Sequence, residues 1–406
     1  MDRDISMKVI PVLAASALSF VAAWGLLSWM HKSASPRETP KPPFVRPVAE
    51  FEAMFGIGIS EQLLFKKQGI TFLKSILESG ARVYVFVSAD RREEVDKLLR
   101  SSTILHGTDR ESIVKIQLEH ESMWARDYFP IPILKAIPHL VPTPSFVDFV
   151  YRDGNTLDDA AIHQFALAIN LSVEHLPIVL DGGNFMTNGE SCVLSEEVSE
   201  DPEILLLNSP EPPLESNLGE IFRSALGCQK TIIVSQIPHP HVDMWMKFLN
   251  KTTIAVNRID PAEIKASTGI GVADREKAQK IAHELDKAAD LLAEDFQVVR
   301  MPMAVPTPDT FLTYSNAILS NGKAIVPRYS QQLTGKDQGR LSKVLEGYER
   351  EAENIYRQYG FEVGFIDANE LIQDGGAFHC VTFHLPDLDA IYKDKGFLAT
   401  KPATKP

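Results

Sequence analysis

The sequence predicts an α/β protein in which a strand–strand–helix–strand unit recurs as blades around an axis. From residue 51 onward, stretches with helical spacing of apolar residues alternate with short stretches rich in β-branched residues. Two segments, residues 184–194 and 316–326, both turn on Asn-Gly, the pair favoured in tight hairpin loops. A helical stretch and then an extended one follow each segment. A site could therefore lie where the repeated units converge.

The individual elements follow from the period of the apolar residues. Predicted helices place them three and four positions apart and cover residues 61–78, 92–100, 158–170, 214–226, 274–296 and 339–359. Predicted strands are short and bounded by turn-forming residues. They cover residues 82–87, 113–118, 146–151, 231–235, 252–257, 297–301 and 361–366.

The composition is that of a folded globular protein. Hydrophobic residues make up 44% of the 406 residues, enough for one large core or two smaller ones. The net charge is -13, and the sequence has no basic cluster. This argues against nucleic acid as a partner, because neutralising phosphates requires grouped Lys and Arg. An acidic balance suits a cationic ligand.

The N-terminal region differs from the rest of the chain. A polar segment, residues 1–8, precedes residues 9–30, which carry no formal charge and as a helix would span a hydrocarbon layer of roughly 30 Å. This length favours a signal anchor over a cleavable signal peptide, although the small residues Ser33, Ala34 and Ser35 leave cleavage open. Lys and Arg lie on both sides, so the orientation stays undecided.

The remaining boundaries follow from composition. Residues 31–47 are rich in proline and predict an extended spacer. Residues 48–396 form the predicted folded domain, and residues 397–406 form a tail. We expect this domain to be exported, either anchored in the membrane by the apolar segment or secreted, for example into the periplasm.

Three cysteines occur, at positions 192, 228 and 380. At most one disulfide can form, and if Cys380 is reactive only Cys192 and Cys228 could pair. The cysteine spacings fit no zinc site.

The segment from Asp374 to Thr382 holds a candidate nucleophile. Gly375 and Gly376 allow a close backbone approach, and they deliver Cys380 at the far side of a turn. A small buried residue at the start of a strand is the alternative interpretation.

Three upstream segments carry the acidic, basic and aromatic groups that such a thiol would need. Residues 124–130 contain Trp124, Arg126 and Asp127, although a surface ion pair would also explain the last two. Asp181 is followed by two glycines, which a plain turn explains equally well. His241 and Asp243 are two residues apart, so on an extended chain they face the same side.

Together these segments resemble the guanidino-group-modifying (pentein) superfamily, in the branch of agmatine deiminases and bacterial-type peptidylarginine deiminases. The resemblance runs from about residue 51 to residue 386. It is carried by Trp124-x-Arg126-Asp127-x-x-Pro130, Asp181-Gly182-Gly183-Asn184-Phe185, His241-Val242-Asp243 with Phe248, and Gly375-Gly376-x-x-His379-Cys380-x-Thr382-x-x-x-Pro386. It implies a five-bladed α/β propeller of ββαβ units with a central active site.

The resemblance also implies roles for individual residues. Cys380 would be the nucleophile, His241 the acid and base, and Asp127 and Asp243 the carboxylates that hold the substrate. Trp124, Arg126, Arg152 and Asn316 would line the substrate site by the same resemblance, with Arg152 contacting a substrate carboxylate.

The chemistry of a guanidinium fits these residue types. Its carbon is a poor electrophile because the positive charge is delocalised, and two carboxylates would orient and polarise it. Cys380 would attack that carbon, and His241, oriented by Asp181, would protonate the departing ammonia and later activate water. Thiolate formation would depend on the arriving cation or on protonated His241. No metal or cofactor is required.

Some positions depart from the pattern of the branch. Phe129 stands where a glycine is usual, and Phe383 and His384 stand where the agmatine enzymes commonly have two glutamines. Export favours arginine or peptides over cytosolic agmatine.

We therefore expect a hydrolase that converts a guanidino group to a ureido group and ammonia through a covalent cysteine intermediate. Two alternatives stay open. One is an amidinotransferase that uses the same intermediate, and the other is a non-catalytic binding protein.

Overall fold

Five separate β-sheets organise the part of the chain that the structure, a computed structural model, describes. This part comprises residues 44–136, 143–151, 156–200, 214–267, 271–307, 310–331, 338–387 and 389–391, and it belongs to one compact unit. The predicted apolar segment, most of the spacer, Arg152 and the tail lie outside it. No helix within these ranges is long and apolar enough to cross a membrane.

The strands of the structure include each predicted one, with ends shifted by at most three residues, and several that the sequence did not predict. In chain order they are β1 (Phe44–Pro47), β2 (Met54–Ser60), β3 (Arg82–Val87), β4 (Ile113–Gln117), β5 (Ile131–Ala136), β6 (Thr143–Val150), β7 (Ser172–Val179), β8 (Met186–Thr187), β9 (Ser191–Ser195), β10 (Lys230–Val234), β11 (Met246–Phe248), β12 (Thr253–Ile259), β13 (Gln297–Met303), β14 (Ile318–Ser320), β15 (Lys323–Arg328), β16 (Glu362–Asp367) and β17 (Thr382–Pro386).

Each sheet repeats one pairing pattern. The strand orders are β1-β5-β6-β7, β10-β9-β8, β11-β12-β13, β14-β15-β16 and β17-β2-β3-β4. In every sheet an antiparallel pair is joined to a parallel pair; β8, β9 and β10 are one example, and β14, β15 and β16 are another. The predicted repetition of the ββαβ unit is therefore confirmed. The fifth unit combines strands that are far apart in sequence, because β17 pairs antiparallel with β2.

The helices lie in the connections between strands. In chain order they are α1 (Glu61–Leu64), α2 (Gly69–Leu77), α3 (Arg92–Ser101), α4 (Gly107–Glu111), α5 (Ala125–Tyr128), α6 (Thr156–Ile169), α7 (Glu197–Glu200), α8 (Leu214–Leu226), α9 (Pro261–Ala266), α10 (Val272–Leu292), α11 (Gln338–Gln358) and α12 (Asn369–Gln373). The predicted helix 61–78 is split into α1 and α2. The split follows from a tight corner at Gly69, where a Cβ would lie 2.1 Å from the Leu63 carbonyl oxygen.

The two Asn-Gly segments form hairpins, but only one has the expected turn. Asn321 and Gly322 both have positive φ, +48° and +81°, as a type I′ turn requires. In the other hairpin only Gly189 has positive φ. There the Asn188 side-chain oxygen accepts hydrogen bonds from the N–H groups of Glu190 and Ser191, which shifts the loop by one residue.

Two cysteines form a buried disulfide. Cys192 lies on β9 and Cys228 lies just before β10, with their Cα atoms 5.8 Å apart. The sequence left open whether these two cysteines pair, and the structure shows that they do. Within the described residues Cys380 is the free thiol, and it is buried.

Strand β1 extends the folded domain into the predicted spacer. Residues 44–47 were assigned to the spacer, yet they pair antiparallel with β5. The main chain of β1 also packs closely against Gly227, where a Cβ would lie 2.0 Å from the Val45 carbonyl oxygen. The domain therefore begins before residue 48.

Gly227→Ala and Gly80→Ala form a matched pair that tests this packing. Both glycines have positive φ, +77° and +83°, but a Cβ at residue 80 meets nothing within 4 Å. We expect Gly80→Ala to lower the free energy of unfolding by about 1–2 kcal/mol. Gly227→Ala should cost about 1–3 kcal/mol more, because it overpacks the contact with β1. Urea unfolding followed by circular dichroism measures both, and equal losses would contradict the docking of β1.

Candidate active site

The candidate nucleophile lies in the turn between α12 and β17. Gly375 has φ +116°, which favours glycine, and Gly376 allows a close approach. A Cβ on Gly376 would lie 2.6 Å from the Trp124 ring and 3.1 Å from the Cys380 Sγ. Phe378 fixes the same turn by stacking on Phe72 at 4.6 Å. Gly375 thus allows the chain to turn, and Gly376 leaves space beside the thiol.

Asn316 and Asp243 meet at the Cys380 sulfur. The Asn316 Nδ2 donates to Sγ at 3.1 Å, and Sγ lies 3.6 Å from the Asp243 Oδ2 and 3.7 Å from the Met244 Sδ. The Asn316 Oδ1 accepts from the N–H groups of His379 at 3.0 Å and Cys380 at 3.4 Å. Asn316 therefore holds both the turn and the thiol.

The resting thiol is held in its protonated form. Burial raises the pKa of Cys380 well above its ordinary value, and the charges of Asp243 and Asp127 raise it further, against the hydrogen bond from Asn316. Cys380 becomes nucleophilic only if something offsets these negative charges.

Asp243 is a fully buried carboxylate with one free oxygen. Its Oδ2 accepts from the His379 Nδ1 at 2.6 Å, whereas its Oδ1 has no hydrogen-bond partner among the described residues. Burial alone would raise its pKa, but the hydrogen bond and charge of His379, with the charges of His241 and Lys247, hold the pKa below its ordinary value. A buried, ionised oxygen without a partner is suited to a cationic ligand.

His241 is placed between two carboxylates. Its Nε2 lies 3.2 Å from the Asp181 Oδ2, and its Nδ1 lies 3.5 Å from the Asp127 Oδ1. Burial lowers its pKa, but Asp127, Asp181 and Asp243 outweigh this and raise the pKa to about 10. His241 therefore carries a proton at neutral pH.

Asp127 shares this environment. Its Oδ1 accepts from the Gly183 N–H at 3.0 Å. Burial raises its pKa to about 7, with contributions from Asp181 and Asp243, against the charge of His241. A Cβ on Gly183 would lie 2.7 Å from both the Asp127 Oδ1 and the His241 Nδ1, which explains why glycine stands there.

The structure thus brings together the residues that the sequence placed in one site. Asp127 and Asp243 affect the pKa of both Cys380 and His241, so all four lie in one electrostatic environment. Trp124 flanks the cysteine turn. Among the other predicted site residues, Asp181 and Asn316 contact the set directly, and Arg152 lies outside the described residues.

The Arg126 side chain contacts Glu50 and His384, and its role in substrate binding stays a prediction. Its Nη2 donates to the Glu50 Oε1 at 3.2 Å and to the His384 Nδ1 at 2.9 Å. Its main-chain N–H donates to the Cys380 carbonyl oxygen at 3.0 Å. Arg126 therefore supports the cysteine turn through its main chain.

A buried charged cluster behind Asp243 was not predicted. Glu50 lies at its centre and contacts the His379 Nε2, the His384 Nδ1 at 2.9 Å and the Lys247 Nζ at 2.6 Å. In the sequence His379 and His384 lie within four residues of Cys380. Glu50 lies in a stretch without a motif, so the sequence gives no sign that it joins them. The cluster borders a cavity with about 610 Å³ of empty space, which Phe129 also lines.

Glu50, His379 and His384 bring three possible metal-ligand atoms within 4.8 Å of one another. The donor set does not suit a divalent cation, however. Lys247 and Arg126 already place positive charge on the Glu50 oxygens, and Arg126 also contacts the His384 Nδ1. These contacts fit a buried ion-pair network.

Two departures from the family pattern pack against each other. The Phe129 and Phe383 rings stack with centroids 4.7 Å apart, and both also contact Phe165 edge-on. The bulk of Phe129 is thus accommodated by an aromatic core rather than by the thiol site.

A groove lies beside Met244, whose Sδ is 3.7 Å from the Cys380 Sγ. Its walls also include His239, Lys277, Phe311 and Gly375. Burial and the charge of His241 lower the pKa of His239 to about 4, so His239 presents a neutral ring.

The comparisons with known proteins agree with this geometry. The model of the Porphyromonas-type peptidyl-arginine deiminase family matches residues 64–386. The chain belongs to this family. A protein of Photobacterium profundum, provisionally named an agmatine deiminase, is 23% identical over 248 residues, which is 56% of this chain and 63% of the relative. The chain thus spans less than two thirds of the curated relatives it matches.

Solved structures show the same α/β fold. The C. jejuni agmatine deiminase superposes with a TM-score of 0.57 and 17% identity, covering 86% of this chain and 99% of that one. An agmatine deiminase of Enterococcus faecalis gives a TM-score of 0.60 and 15% identity, covering 84% of this chain and 96% of that one. At this level of identity the likeness shows the fold alone.

Asp243→Asn should make Cys380 more reactive. The substitution removes a negative charge that raises the pKa of the thiol, so alkylation by iodoacetamide at pH 7 should accelerate about tenfold or more. Mass spectrometry of the alkylated peptide measures the rate. Asp148→Asn is the control, because Asp148 is a buried carboxylate on β6 that faces His163 and His175 instead. An unchanged rate in Asp243→Asn would contradict the electrostatic coupling.

Proposed function

We propose that the protein is a guanidine deiminase, which hydrolyses a guanidino group to a ureido group and ammonia. The observation that carries this proposal is the buried Asp243 carboxylate, whose Oδ2 lies 3.6 Å from the Cys380 Sγ and whose Oδ1 has no hydrogen-bond partner among the described residues. Together with Asp127, it offers negative charge for a planar cation next to a nucleophile. Membership of the family supports the same activity.

The substrate itself would activate the nucleophile. A bound guanidinium offsets the charges of Asp243 and Asp127, which are the groups that raise the pKa of Cys380 in the resting site. The thiol then loses its proton to solvent, and the thiolate attacks the guanidinium carbon. The carboxylates hold the nitrogens by charge-assisted hydrogen bonds, which fixes the carbon within reach of the sulfur.

His241 would transfer the protons of both half-reactions. In the first it gives its proton to the leaving nitrogen, so that ammonia departs and a positively charged thiouronium remains on Cys380. In the second the neutral imidazole takes a proton from water, whose oxygen attacks the same carbon and expels the thiolate. The contact with Asp181 orients the ring for both steps. The balance is guanidinium plus water to ureido product plus ammonium.

We infer an arginine-derived substrate rather than agmatine. Among the lining residues that the structure describes, the groove includes Lys277 and no carboxylate. Agmatine would bring a second amine, which needs an anion, whereas free or peptide-bound arginine can bring a carboxylate that Lys277 attracts.

The fold and location extend the same proposal. We propose that the five sheets are blades of a propeller around the site, an arrangement supported by their common pairing pattern. We also propose that the domain acts outside the reducing cytosol, anchored or released by residues 9–30. The buried disulfide supports this location, because disulfides persist in oxidising compartments.

Ammonia release with no acceptor amine present tests the reaction. We expect the full chain to release ammonia from arginine and from arginine-containing peptides faster than from agmatine, and Cys380→Ser to release none. Turnover only after an acceptor amine is added would favour the amidinotransferase. Binding of guanidino compounds without any turnover would favour the binding protein.

Lys277→Glu should shift the preference toward agmatine. The substitution reverses the charge of a residue that lines the groove, so we expect the ratio of kcat/KM for agmatine to that for arginine to rise several-fold. Lys280→Glu is the matched control, because Lys280 is an exposed lysine on the same helix that does not line the groove. The same ratio in both variants would remove Lys277 from substrate selection.

A further inference from the structure

We propose that His379, held by Glu50, is a positioning residue that fixes the Asp243 carboxylate in the orientation required by the guanidino group. This inference rests on the proposed function for its catalytic consequence, whereas its effect on Asp243 and Cys380 can be measured without a substrate.

The first observation is the chain of contacts through the His379 ring. Its Nδ1 donates to the Asp243 Oδ2 at 2.6 Å, and its Nε2 lies in hydrogen-bond contact with the Glu50 Oε1. Both ring nitrogens therefore face carboxylates. One ring therefore joins the two acids by a contact at each of its nitrogens.

Glu50 is itself fixed from several sides. Its Oε2 accepts from the Lys247 Nζ at 2.6 Å, and its Oε1 accepts from the Arg126 Nη2 at 3.2 Å. A carboxylate held in this way cannot turn without losing several charge-assisted contacts. The outer end of the chain is therefore rigid.

The position of His379 along the backbone is set independently of its ring. Its N–H donates to the Asn316 Oδ1 at 3.0 Å, the same amide oxygen that lies against the Cys380 N–H. A substitution that replaces the His379 ring can therefore leave the backbone of the cysteine turn unchanged.

The contact with His379 makes the two oxygens of Asp243 different from each other. With Oδ2 tied to His379, Oδ1 alone is left without a partner among the described residues. The other charged groups that act on Asp243, namely His241 and Lys247, affect its pKa without bonding to Oδ1. If the bond from His379 were lost, burial would favour the protonated carboxyl, which no longer grips a cation.

His379→Asn and His379→Gln separate the two ends of the chain. An asparagine amide occupies about the position of the imidazole Nδ1, so it keeps a donor for Asp243 and loses the contact with Glu50. A glutamine amide reaches about the position of Nε2, so it keeps the contact with Glu50 and loses the one with Asp243. The two variants are alike in polarity and lack of charge.

We expect the glutamine variant to lose about 10- to 100-fold in kcat/KM, as is typical when a group that orients a site residue is removed. The asparagine variant should keep most of the activity. Because Asp243 without its donor has a higher pKa, the acidic limb of the kcat/KM profile should move to higher pH, and it should move further in the glutamine variant than in the asparagine variant. Glu50→Gln, which loosens the outer end, should give an intermediate loss.

The alkylation rate of Cys380 in the absence of substrate tests the positioning role directly. If His379 only stabilised the fold, this rate would not differ between the two folded variants. A protonated Asp243 no longer raises the pKa of the thiol, so the glutamine variant should be alkylated faster at pH 7, as expected for Asp243→Asn. The asparagine variant keeps the donor to Asp243 and loses only the charge of the ring, so its alkylation rate should lie between those of the wild type and the glutamine variant. Urea unfolding checks that both variants fold.

The inference is overturned if the two variants, both folded, show equal alkylation rates and equal pH profiles. A wild-type protein that releases no ammonia from any guanidino compound would instead refute the proposed function. In that case the alkylation comparison still decides whether His379 controls Asp243.

Discussion

The site depends on keeping several ionisable groups charged in a buried space. Asp243 is fully buried, and burial favours its neutral form, yet the bond from His379 keeps it ionised. The same negative charge holds Cys380 as a thiol. The resting site therefore stores negative charge and an unreactive sulfur side by side, and both conditions change together when a cation enters.

The fold provides this arrangement by bringing turns from different sheets together. Cys380 precedes β17, His241 and Asp243 precede β11, and Asp181 follows β7. Each turn is shaped by residues that need unusual geometry, as at Gly183, where a Cβ would strike two site residues. The sheets carry the apolar packing, while the turns between them hold the polar groups.

Much of the fold and site was predictable because it rests on local signals. The repeated strand and helix periods gave the units, and residue types in motifs gave Cys380, His241 and Asp243. Glu50 was missed because a lone acid before the first helix carries no pattern, and its task appears only when β17 brings His379 and His384 to it. The contacts of the Arg126 side chain were missed for the same reason. Its neighbour in sequence is Asp127, and no spacing reveals that its guanidinium faces Glu50 instead.

The stacked rings of Phe129 and Phe383 have a consequence for how the chain diverged from its relatives. Both stand where the related enzymes usually have smaller or polar residues. Replacing either one alone would remove the stacking contact of its neighbour, which would keep only its contacts with Phe165 and the other surrounding rings. The effects of the two changes should therefore not add, and a survey of relatives should find the two positions varying in concert.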